Sequence, residues 1–139
     1  MNPNECLSYW LIEELVAQGI AQFCISPGSR STPLTVAAAR HPQANTKIFL
    51  DERAAAYFAL GWARSTDQAA VLICTSGTAG ANYYPAIIEA SVEHLPLLAI
   101  TADRPPELQQ TGANQTVDQI DFLVVIPAGF MIQDALIRL

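Results

Sequence analysis

Glu52 stands where a short apolar run, Ile48-Phe49-Leu50, gives way to an alanine-rich segment carrying Tyr57, Phe58 and Leu60. Losing water penalises the charged form of a carboxyl group, so such company is expected to raise its pKa. A carboxyl tuned in this way can share a proton with a heterocyclic ring nitrogen, and acid–base chemistry near neutral pH needs such groups. A plainer role also fits, because the helix dipole favours any acid at a helix N-terminus. Glu52 by itself does not separate the two.

Other polar motifs offer anion-binding chemistry. Ser26-Pro27-Gly28-Ser29-Arg30-Ser31 is a small-residue turn entering a helix. Its backbone N–H groups and the Arg30 guanidinium can grip a carboxylate, or the turn can be ordinary with Arg30 in solvent. Thr75-Ser76-Gly77-Thr78-Ala79-Gly80 is similar to an anion-cradling loop but lacks the Lys of a phosphate-binding P-loop. Gly77 and Gly80 suit the close approach of a ligand ring or of neighbouring backbone. In Asp103-Arg104-Pro105-Pro106-Glu107 the two prolines forbid continuation as helix or central strand. Arg104 can then clamp an anion from a rigid loop, or pair with Asp103 or Glu107. Asn114 and Gln115 follow a turn and can donate to a carboxylate or hydroxyl. His41 and His94 are expected at the surface. No nucleophile–His–acid arrangement and no metal-ligand spacing is present.

The elements that must position these residues alternate. Asn2-Pro3-Asn4-Glu5 opens a capped helix in which Leu7, Trp10, Leu11 and Leu15 share a face, with Ile12 on the flank and Gly19 as the stop. Strands are expected at 21–26, 47–50, 69–74 and 97–101, and helices at 32–40, 52 to about 64, and about 81 to 92. Continuous apolar strands separated by helices predict an α/β fold: a mostly parallel sheet, its strands buried on both faces, with helices on each side. Ligands of such sheets gather outside the carboxyl ends of the strands. Ser29-Arg30, Asp51-Glu52, Ser76-Gly77-Thr78 and Asp103-Arg104 each follow a different strand. That convergence is the best argument for a site from the residues themselves.

A chain of 139 residues is one domain by length, large enough for a real core. It is 51% hydrophobic and only 14% charged, so part of its exterior is expected to lie against another chain or domain. The net charge of −6, without a run of Lys or Arg, argues against nucleic acid or an anionic membrane as partner. Cys6, Cys24 and Cys74 read as free thiols of a reducing compartment. With no signal-peptide pattern and no apolar run near the about 20 residues that span a bilayer, a cytoplasmic protein is expected.

Six segments together resemble one family: residues 26–34, Asp51-Glu52-Arg53, 75–79, 84–90, 101–108 and 112–115. It is the 2-succinyl-5-enolpyruvyl-6-hydroxy-3-cyclohexene-1-carboxylate (SEPHCHC) synthase family of menaquinone and phylloquinone biosynthesis, and the resemblance is to its N-terminal, pyrimidine-binding domain. These enzymes use thiamine diphosphate to decarboxylate 2-oxoglutarate and add the resulting carbanion to isochorismate. The resemblance implies that Glu52 meets the aminopyrimidine ring nitrogen of the cofactor. It implies cofactor contacts at Ser76, Gly77 and Thr78, and carboxylate contacts at Ser29, Arg30, Arg104, Asn114 and Gln115. It also implies a homo-oligomer, with Mg²⁺ and the diphosphate held by a separate domain.

The resemblance runs from about residue 5 to about residue 120, and 121–139 do not look like the family's continuation. The family goes on through a middle domain and a diphosphate-binding domain, whose motifs are not in this sequence. Residues 1–139 are therefore expected to hold one wall of a shared site, with negligible synthase activity and weak cofactor affinity in isolation. Two other readings remain at this point: a non-catalytic module that self-associates, and an α/β domain binding some other anion.

Overall fold

A computed structural model describes residues 2–120 and Leu123. Order begins locally, at the first helix. The Asn2 side chain accepts from the Glu5 backbone N–H at 2.9 Å, and the Glu5 carboxylate accepts from the Asn2 N–H at 2.9 Å. This reciprocal cap satisfies donors that a helix start leaves open, and α1 runs Pro3–Ala17. There follow β1 (Gln22–Ile25), α2 (Thr32–Arg40), β2 (Asn45–Ile48), α3 (Glu52–Thr66) and β3 (Ala70–Cys74). A 3-10 helix (Gly77–Tyr83) runs straight into α4 (Tyr84–Val92), and β4 is Leu97–Thr101.

The described strands form one parallel sheet in the order β2-β1-β3-β4. Side chains alternate along each strand, so one face receives Cys24, Leu72 and Cys74 and the other Phe23, Ile25, Val71 and Ile73. The first set packs with Ala55, Ala56 and Ala59 of α3 and Ala86 and Ile87 of α4. The second packs with Ile12 of α1 and with Leu34 and Ala38 of α2. Helices therefore cover both faces, as the alternation of elements predicts. Small alanines on α3 let that helix lie close above β1 and β3, which fixes where its N-terminus points.

Several expectations need correction. β2 is Asn45–Ile48, two residues earlier than the apolar run suggests, because Gln22 pairs with Asn45 and Ile25 with Ile48. It is an edge strand, exposed or half-buried along its length, whereas β1 and β3 are buried throughout. The helix expected from about 81 begins at Tyr84, where Pro85 suits the first turn. Residues 77–83 take the tighter 3-10 path instead. On α1 the buried positions are Ser8 and Ile12, while Trp10 is 68% exposed. His41 is half-buried and not fully at the surface: its side chain is 8% exposed and its Nε2 lies 3.2 Å from the Glu13 carboxylate. The reading of 121–139 as atypical falls, Leu123 apart, outside the described residues.

Asp51 caps α3, accepting from the backbone N–H groups of Arg53 at 2.8 Å and Ala54 at 3.4 Å, and from the Arg53 guanidinium at 2.7 Å. The hydrogen bond from Arg53 is the main cause that pulls its pKa from 3.8 to about 2. A carboxyl with a depressed folded pKa stabilises the fold above its unfolded value and loses that contribution as pH falls through the folded value. The cap is thus expected to hold at pH 3.8 and to fail near pH 2. A carboxyl ¹³C titration of Asp51 should give a midpoint near pH 2; an unshifted midpoint would remove the ion pair from this account.

Candidate functional site

Parallel strands place all their carboxyl ends on one edge, and the loops leaving β1, β3 and β4 are knitted together there. Ser76 Oγ donates to the Gln115 carbonyl at 2.9 Å. The Gly77 N–H donates to Gln119 Oε1 at 2.8 Å, and Gln119 Nε2 donates to Thr101 Oγ1 at 3.3 Å and to the Ala102 carbonyl at 3.1 Å. Gln119 therefore ties the loop after β3 to the end of β4, a role no pattern in the sequence announces. Gly77 has φ +81°, and a Cβ there would lie 3.0 Å from Gln115 Cα. Its close approach is to neighbouring backbone. Gly28 is tighter still: a Cβ would sit 2.5 Å from the Thr75 Cβ, so the turn after β1 lies directly on the end of β3.

Arg104 pairs with neither Asp103 nor Glu107. Its guanidinium donates to the Asn114 carbonyl at 2.8 Å, and its buried Nε has no partner among the described residues. Buried N–H groups are nearly always paired, so this one marks a place for an acceptor. Asp103, itself buried, is occupied by the Arg104 backbone N–H at 2.7 Å and by Gln109 Nε2 at 3.2 Å. Asn114 and Gln115 serve this edge through their carbonyls, and both are exposed. Ser29, Arg30 and Thr78 are exposed too, whereas Ser76 and Gly77 are buried. A groove of about 380 Å³ opens beside the 103–118 loop, bordered by Asp103, Gln109, Thr116 and Asp118. Asp103 and Asp118 put carboxyl groups on its wall, which would repel a carboxylate ligand.

Glu52 begins α3 and is half-buried. Among the described residues no hydrogen bond or ion pair engages its carboxylate. Asp51 makes the capping bonds, so the fold does not need Glu52 for that purpose. Its surroundings differ from the sequence reading: Leu50 is 98% exposed, and Ile48 and Tyr57 also face outward. The dry side lies inward, with the thiol of Cys74 and the hydroxyl of Tyr83. Burial, with the Glu52 charge as a smaller cause, pushes the Cys74 thiol up to about 12 and the Tyr83 hydroxyl upward as well. The carboxyl thus sits between solvent on one side and a neutral, protonated interior on the other.

The sequence model of the family described as "Thiamine pyrophosphate enzyme, N-terminal TPP binding domain" matches residues 7–122. The chain belongs to that family. It is similar to proteins named 2-succinyl-5-enolpyruvyl-6-hydroxy-3-cyclohexene-1-carboxylate synthase. That of Prosthecochloris aestuarii is 63% identical and that of Chlorobium limicola 65% identical, each over 122 residues covering 86% of this chain and 21% of the relative. That of Haloquadratum walsbyi is 60% identical over 118 residues, 85% of this chain and 19% of the relative. The chain spans about a fifth of the length of the curated relatives it matches.

The residues fit the N-terminal TPP-binding domain of the family name. A half-buried carboxyl with no hydrogen-bond partner among the described residues can meet a ring nitrogen, and the glycines at 28 and 77 bring backbone close to the strand ends. Among the described residues no group of three His, Cys, Asp or Glu side chains is placed to hold a metal, and no helix is long and apolar enough to cross a membrane.

Proposed function

We propose that this chain supplies the pyrimidine-facing wall of a thiamine-diphosphate site in a synthase that decarboxylates 2-oxoglutarate and joins the product to isochorismate. The observation that carries the reading is Glu52: half-buried at the start of α3, engaged by no hydrogen bond or ion pair among the described residues, and spared from capping by Asp51. The names of the relatives support the reaction. Bound thiamine diphosphate supplies the carbanion chemistry that these side chains lack.

In this reading Glu52 holds and exchanges a proton at the aminopyrimidine ring nitrogen, and Ser76, Gly77 and Thr78 lie against the cofactor. Arg104 and Arg30 bind the carboxylates of substrate, with Ser29, Asn114 and Gln115 beside them; Arg suits planar carboxylates. Mg²⁺ and the diphosphate belong to a diphosphate-binding domain, reached through a homo-oligomer whose contact uses the outward-facing Ile48, Leu50 and Tyr57. The buried thiols Cys24 and Cys74 suit the reducing cytoplasm.

Calorimetric titration with thiamine diphosphate tests the proposal. The chain alone is expected to bind weakly, and at least about tenfold more tightly once mixed with Mg²⁺ and the remaining domains of the Chlorobium limicola relative. Turnover of 2-oxoglutarate should appear only in the mixture. Equal affinity with and without those domains, or no binding in either, would overturn it.

A further inference from the structure

The loop that carries Arg104 and Gln115 leaves β4 at Ala102 and comes back to the same place at Gln119. Gln119 is only 5% exposed, and both polar atoms of its amide are engaged. Its Nε2 donates to the Thr101 hydroxyl and the Ala102 carbonyl, which shuts the base of the loop. Its Oε1 accepts from the Gly77 N–H, which fastens that base to the loop after β3. A loop closed at its base has fewer conformations open to it than a free one of the same length.

Within this closure the two proposed carboxylate contacts are held in place. Ser76 Oγ donates to the Gln115 carbonyl, and a Cβ on Gly77 would lie 3.0 Å from Gln115 Cα and 3.2 Å from its carbonyl carbon. Gln115 has φ +54°, a left-handed conformation that a residue other than glycine keeps only where its surroundings over-determine it. Arg104 is fixed from two sides. Its backbone carbonyl accepts from Gln109 Nε2 at 3.2 Å, and its guanidinium donates to the Asn114 carbonyl, next to Gln115. Gln119 thus acts on both residues through the loops it fastens.

We propose that Gln119 is a positioning residue for the carboxylate-binding edge. By closing residues 102–119 onto Ser76-Gly77, it presents Arg104 and Gln115 together to one carboxylate ligand. The buried Arg104 Nε–H, unclaimed among the described residues, is then held where such an acceptor arrives. The inference rests on the reading of Arg104 and Gln115 as carboxylate contacts, but its test needs no cofactor.

The test is hydrogen exchange in the full ¹⁵N-labelled chain, followed by NMR. Gln119→Met keeps the length of the side chain and drops its hydrogen bonds. Exchange of the Arg104 Nε–H and the Gly77 amide is expected to speed up by at least about tenfold, while the amides of β1 and β3 stay within about twofold of wild type. The affinity for 2-oxoglutarate, read from the shift of the Arg104 Nε signal, should fall about tenfold. A glutamine that merely stabilises the fold would speed all these groups alike, and that result overturns the proposal. So does Arg104 exchange within about twofold of wild type, whatever happens at Gly77. Should Gln119→Met fail to fold, Thr101→Val, which removes one acceptor of Gln119, decides in the same way with a smaller change. A wild-type Arg104 signal that ignores 2-oxoglutarate would overturn the carboxylate reading of that residue, and the exchange comparison would still judge Gln119.

Discussion

Glu52→Gln is expected to lower 2-oxoglutarate decarboxylation by about 10²–10⁴-fold in a synthase assembled from this chain and its complementary domains. The amide keeps the shape of the side chain and can still meet a ring nitrogen, so cofactor affinity should stay within about tenfold of wild type. What the amide cannot do is give up and regain a proton. Stability should hardly change, because Asp51 and not Glu52 makes the side-chain cap of α3. A helix-end acid without a chemical role would show the opposite pattern, with a small loss of stability and unaltered turnover. Single-turnover kinetics beside thermal melts separates the two outcomes. Wild-type rates in the Gln variant would remove Glu52 from the chemistry.

Gly28→Ala should destabilise the fold by about 1–3 kcal/mol, the usual range for forcing a methyl into a packed site. The new Cβ would meet Thr75 Cβ at 2.5 Å, Cγ2 at 2.8 Å and Oγ1 at 2.9 Å. Thr75 is buried and β-branched, so it cannot swing aside. The strain falls between the ends of β1 and β3, where the site loops begin, and cofactor affinity should fall with stability. Thr75→Gly removes all three contacts, so the double variant should recover part of the loss. Additivity of the two single changes within about 0.5 kcal/mol in denaturant melts would show that the clash is not the cause.

Much of the architecture was legible because hydrophobic pattern and turn chemistry agreed. The Asn2 cap, the α2 limits, and the buried runs of β1 and β3 follow from residue types whose preferences are strong and local. The shift of β2 was not legible, because an edge strand takes its register from its neighbour: Asn45 is polar, yet it pairs with Gln22. Its side chain also accepts no pattern-based reading, since it donates to Gln22 Oε1 at 2.7 Å across the strands. The 3-10 path at 77–83 was hidden for a related reason. Small residues permit several tight turns, and the choice is made by Tyr83 entering the core.

The site was readable as a location and less so as a set of contacts. Topology alone carries Glu52, Ser76, Gly77 and Arg104 to one edge. Which groups touch there depends on a loop without periodicity, residues 102–119, whose carbonyls and one glutamine do the tying. Gln119 and Tyr83 had no flag in the sequence, since a lone Gln and a lone Tyr are common in any core or loop. The exposure of Leu50 was also unforeseen. An apolar triplet reads as buried, and only the early exit of β2 from the sheet turns its last residue outward.

The order of strands has a consequence for synthesis on the ribosome. β1, second in the sheet, finds one neighbour in β2 but the other only when β3 emerges, with Gln22 opposite Asn45 and then opposite Ala70. Nonlocal pairing of this kind is slow, because closing the intervening loops costs entropy before contacts form. β4 docks on β3 last, and the segment that ties the edge together is translated after that. A nascent chain should therefore acquire its hydrophobic layers well before it acquires ligand-binding competence.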